Sequence, residues 1–135
     1  MKKIYIILLI AILNACASAP DSFNRNKAGW ITIELQNKLT KEEVWGKVAD
    51  SLKERDMEFD KIDKDVGYLR TAWNYNITKN DTYATRIIID FSSNGKTLRI
   101  KSEARYQTKE GWIEGYDTEF TQTIKDEITA IVGQY

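Results

Sequence analysis

From Trp30 onward the chain switches between two hydrophobic periods, and the switches mark its elements. Residues 30–36, "WITIELQ", set Ile31, Ile33 and Leu35 against Thr32, Glu34 and Gln36, the period-two signature of a half-buried strand. The period then lengthens. Val44, Trp45, Val48, Ala49 and Leu52 form one apolar stripe at helical spacing that ends near Asp56. Thr40 and Glu43 have the spacing of a capping box, and Leu39 and Val44 flank them as a hydrophobic staple, so the helix start is doubly marked.

Beyond this helix the pattern becomes strands. Residues 57–63 and 68–76 are predicted as a pair joined through Gly67, the second placing Leu69, Thr71, Trp73 and Tyr75 on one face. A polar loop, "NITKNDT", leads into a strand over 84–92 with Ile87, Ile89 and Phe91 inward. Asn94-Gly95 predicts a tight hairpin, because both residues tolerate the positive φ of a primed turn. Its partner, 97–108, alternates Leu98, Ile100, Ser102, Ala104 and Tyr106 against Arg99, Lys101, Glu103 and Arg105. The glycine-flanked "KEGWIEGY" is expected as a loop, and Phe120, Ile124, Ile128, Ile131 and Val132 form the stripe of a closing helix from about Asp117. The order is strand, helix, four strands, helix. The fold class is therefore α+β, an antiparallel sheet with helices on one face.

The amino terminus follows another logic. Lys2 and Lys3 precede ten uninterrupted apolar residues, Ile4 to Leu13. As a helix this run covers about 15 Å, half of a bilayer core, and its charged start and small-residue end are those of a secretory signal. Leu13-Asn14-Ala15-Cys16 resembles the lipobox of bacterial lipoproteins. That resemblance implies cleavage before Cys16 and acylation of its thiol and new amino terminus, and two or more acyl chains anchor firmly where one holds marginally. The chain thus divides into a signal over 1–15, a lipidated cysteine and polar tether over 16–29, and one domain over 30–135. Ala17 follows the cysteine where an inner-membrane retention signal has aspartate, which favours the outer membrane, facing the periplasm.

Charge and composition narrow the chemistry. Residues 16–135 hold 18 cations and 20 anions, so no basic excess points to nucleic acid. The chain has no histidine, which removes the usual general base and transition-metal ligand, and its one cysteine is assigned to lipid. Asp60, Asp63 and Asp65 before Gly67 do not match a calcium loop, since Lys61 and Lys64 interrupt them and the distal glutamate is missing. Ser92-Ser93 has no base beside it and fits turn chemistry. No metal or cofactor is expected, and the reading is not of an enzyme.

The element order matches a helix-grip layout, in which a curved antiparallel sheet wraps a long carboxy-terminal helix. The stretch "KEEVWGKVADSLKERDMEFDKIDKDVGYLRTAW" is similar to the domains of BamC-type lipoproteins. Val44, Val48 and Leu52 on the helix, Asp63 and Asp65 before Gly67, and Thr71 with Trp73 after it carry the likeness. The resemblance implies a single such domain here.

Two functions fit: a lipid-anchored, protein-binding accessory domain of the cell envelope, or a periplasmic carrier holding a small apolar ligand between sheet and closing helix. For the first, Trp112 and Tyr116 of "GWIEGY", with Arg105 and Arg99 on the solvent face of the preceding strand, are the candidate partner-binding residues, because aromatics and arginines carry most interface energy. Trp112 and Ile113 have a competing reading as a plug closing the core. For the second, Ser102 and Thr71 would be the polar handles.

Overall fold

The computed structural model describes residues 19–75 and 81–134; the expected signal, Cys16 and residues 76–80 of the expected polar loop lie outside the described residues. In chain order the elements are β1 (Phe23–Asn24), β2 (Ile31–Glu34), α1 (Lys41–Glu54), β3 (Phe59–Asp63), β4 (Tyr68–Thr71), β5 (Tyr83–Phe91), β6 (Thr97–Thr108), β7 (Gly111–Asp117) and α2 (Thr118–Val132). The fold is α+β. Seven antiparallel strands form one open sheet in the order β1-β7-β6-β5-β4-β3, with β2 also paired to β6. The twelve-residue β6 serves two partners on one side, β2 along its first half (Ile31 opposite Ile100) and β7 along its second (Gly115 opposite Ala104).

Both helices lie on one face, and the core sits between. Val44, Val48 and Leu52 of α1 and Ile124, Ile128 and Val132 of α2 are buried with Leu69, Ile87, Ile89, Leu98 and Ile100 of the sheet. The capping box of α1 forms as its spacing predicts: Thr40 Oγ1 accepts from the Glu43 amide at 3.1 Å, and the Glu43 carboxylate accepts from the Thr40 amide at 3.0 Å. Trp45 packs on Phe91, ring centroids 5.0 Å apart, so the predicted helix stripe does face the core.

Four local expectations need correction. "GWIEGY" is not a loop. It is strand β7, joined to β6 by the two-residue turn Lys109–Glu110 and opened by Gly111 at φ +122°. Five strands, not four, therefore lie between the helices. Two glycines in seven residues depress strand propensity, and cross-strand pairing with β6 overrides it.

The expected tether is partly docked. β1 pairs with β7, Phe23 opposite Asp117 and Asn24 opposite Tyr116. The turn at Asn94-Gly95 is also looser than expected. Four residues connect Ser92 to Thr97, the Gly95 amide donates to the Ser92 carbonyl at 3.2 Å, and only Gly95, φ +72°, is left-handed. Finally, the face of β4 flips after Thr71. Arg70 lies opposite Ile88 but Asn74 opposite Thr85, so one extra residue sits on the 71–74 side. Such a bulge sends everything beyond it to the other face. Leu69 and Thr71 face the core, while Trp73 joins the outer face.

Candidate functional site: a tryptophan–arginine layer on the outer sheet face

The odd-numbered positions of β6 point away from the helices, and with neighbours on β5 and β7 and in the segment after β4 they form a paved layer. Arg86 lies 4.2 Å from the Trp73 ring centre, and Arg105 lies 4.3 Å from Trp73 and 4.4 Å from Trp112. One guanidinium is thus held between two indoles, with its Nη2 donating to Tyr75 Oη at 3.1 Å. Cross-strand geometry makes this possible. Trp112 is opposite Gln107, which puts it diagonal to Arg105 on the same face, within reach of long side chains. Beneath the layer Ala84 is wholly buried and Ile88 nearly so, although both lie on the sheet's outer side.

Charges here are mostly matched. Arg86 pairs with Glu103 at 2.8 Å, Arg99 with Asp90 at 2.8 Å, and Arg70 with Asp60 at 2.8 Å. The Asp60 contact raises the Arg70 pKa above its ordinary value. Arg105 differs. Among the described residues it has no carboxylate at ion-pair distance, and its buried Nε has no hydrogen-bond partner. The ring faces on either side supply its electrostatic compensation.

The four residues singled out from the pattern do not form one cluster. Arg105 and Trp112 meet. Trp112 is 38% exposed, so it does not plug the core; Ile113 of the same strand instead lies opposite Tyr106. Tyr116 sits four positions along β7, opposite Asn24 of β1. Arg99 lies six residues from Arg105 along β6, about 20 Å away. There it stacks on Trp30 at 4.3 Å, with Lys101 at 4.7 Å from the same ring. Trp73 and Tyr75 were missed because strict alternation puts them on the face of Leu69 and Thr71; the bulge that moves them leaves no mark in the hydrophobic pattern.

On the inner face a buried polar cluster gathers at the start of α2. Asp117 caps the helix, Oδ1 accepting from the Phe120 amide at 2.8 Å, and its Oδ2 accepts from Ser22 Oγ at 2.9 Å and from the Tyr83 hydroxyl. Burial, then the bond to Asp117, raises the Tyr83 pKa far above its ordinary value, so the phenol stays protonated. Ser102 Oγ contacts Thr121 Oγ1 and donates to the Asp117 carbonyl at 3.4 Å. Thr71 Oγ1 accepts from the Ile87 amide at 2.9 Å. Both hydroxyls considered as ligand handles thus serve the fold. A recess of about 320 Å³ does open at the surface, away from α2, but its walls are mixed: Trp45, Val66 and Phe91 line it together with Lys41, Glu42 and Asp65.

The acidic turn is held internally, with Asp63 Oδ1 accepting from the Val66 amide at 3.2 Å. Among the described residues no group of acidic, histidine or cysteine side chains could hold a metal ion, and no helix is long and apolar enough to cross a membrane. No protein-family model matches the chain, and no curated protein matches it significantly.

Proposed function

We propose that the protein is a lipid-anchored, non-enzymatic component of the bacterial cell envelope whose domain binds a protein partner through the Trp73–Arg105–Trp112 layer. The observation that carries this reading is Arg105, a cation without a carboxylate among the described residues, fixed between two indoles at a partly exposed surface. A partner carboxylate laid against it completes an ion pair in a site already shaped by flat, rigid rings. Aromatic and arginine side chains in such settings carry most interface energy. The anchor is read from the lipobox-like Leu13-Asn14-Ala15-Cys16, and the outer membrane is favoured by Ala17.

Crosslinking in intact cells followed by purification from membranes tests the reading. The double variant Trp112→Ala, Arg105→Ala is expected to lose its crosslinked partner, a weakening of about 2 kcal/mol or more, roughly thirtyfold. Its thermal midpoint is expected to stay close to that of the unaltered protein. Undiminished crosslinking sinks the site, and early melting assigns the layer to stability alone.

A further inference from the structure

We propose that the β1–β7 edge of the sheet is held close against the phospholipid headgroups of the membrane that carries Cys16, with the β3 edge pointing away. This rests on the lipid-anchor reading, and adds to it an independent observation, the docking of β1.

That docking is built into the fold at several points. The Phe23 ring meets Tyr106 and Tyr83 edge-on, with centroids 5.0 and 6.1 Å apart. Ser22 donates to Asp117 at 2.9 Å, and its carbonyl accepts from the Thr118 amide at 2.9 Å and from Thr118 Oγ1 at 3.1 Å. The most telling position is Gly115. A Cβ there would lie 2.0 Å from the Asn24 carbonyl oxygen and 2.8 Å from the Phe23 ring. Only glycine leaves room for the amino-terminal segment on this edge.

Docking at Ser22 shortens the leash. From Cys16 to Ser22 is six residues, at most about 20 Å when fully extended, whereas a tether free to Trp30 would reach about 50 Å. Arg25 and Lys27 follow β1 with exposed side chains, and Asp21 is the one carboxylate in residues 19–28, so the segment suits an anionic headgroup surface. The β3 edge lies five strand spacings away, about 24 Å. Arg105 and Trp112 lie one to two spacings from β1 across the sheet and two to four residues along it, about 12–14 Å.

Energy transfer to a headgroup acceptor tests the geometry. The mature lipidated protein is purified from membranes and placed in phosphatidylethanolamine–phosphatidylglycerol vesicles. A single cysteine introduced as Asn26→Cys or Lys64→Cys offers the one free thiol for a donor, because Cys16 is acylated. Transfer from position 26 is expected to exceed that from 64 by about twofold or more, given the width of the sheet between them. Adding Gly115→Ala, which removes the room for β1, is expected to shrink that difference. Equal transfer from the two positions, in protein that partitions with the vesicles and carries no other change, overturns the inference and leaves the anchor standing. Protein that does not partition overturns both.

Discussion

Thr85 carries a hydroxyl the core does not use. Its side chain is fully buried, and Oγ1 has no hydrogen-bond partner among the described residues. Removing a hydroxyl from water without a replacement bond costs about 1–3 kcal/mol, and valine has the same shape without that cost. Thr85→Val is expected to raise stability by about 1 kcal/mol in urea denaturation; a loss of similar size would show that the hydroxyl is bonded. Tyr83 is the opposite case, since its hydroxyl donates to the Asp117 carboxylate. Its raised pKa means that the folded state keeps the proton while the unfolded chain releases it above about pH 10. This contribution is complete below pH 10 and is lost as pH rises toward the folded value. Tyr83→Phe is expected to cost about 1.5–3 kcal/mol at neutral pH and to flatten the alkaline decline. Identical slopes for both proteins above pH 10 would refute the coupling. At this scale Arg105 and Trp112 were legible as interface types, but the indole that completes their layer, Trp73, was not.

Among the elements, those whose apolar period is backed by a local signal agree with the pattern most closely. α1 has a capping box and a staple, and begins one residue after Thr40; α2 has Asp117 as its cap. Leu52 is wholly buried between α1 and the core. Leu52→Ala is expected to cost about 2–5 kcal/mol by thermal or urea unfolding, and a cost below 1 would contradict the packing described. β7 escaped notice for a physical reason. Its glycines read as loop punctuation, yet Gly115 is there to admit the backbone of Asn24 and Gly111 to supply a positive φ. Neither demand exists until another segment of chain is in place. The flip beyond Thr71 is similar, because a single extra residue is absorbed by hydrogen bonds from the Ala72 amide to Glu58 and between Asn74 and Thr85.

For the molecule as a whole, the lipid anchor is the proposal open to the simplest test. Cys16→Ser is expected to move the protein from the membrane to the soluble fraction, or to leave it with an uncut signal. Processed protein still wholly on the membrane would refute the anchor. The lipobox-like motif on which that proposal rests is a feature of linear sequence alone. The same holds for helix caps, for apolar periods and for the α+β class, each set by interactions between residues close in sequence. Tertiary structure alone decided the rest: that β1 docks, that β6 shares one side between β2 and β7, and that Trp73 lies outward. Those outcomes depend on which strand offers a free edge, on the space left where a Cβ is missing, and on register across strands far apart in sequence. Pairs such as Phe23–Asp117 and Asn74–Thr85 join segments far apart in the chain. No pattern within either segment encodes the other.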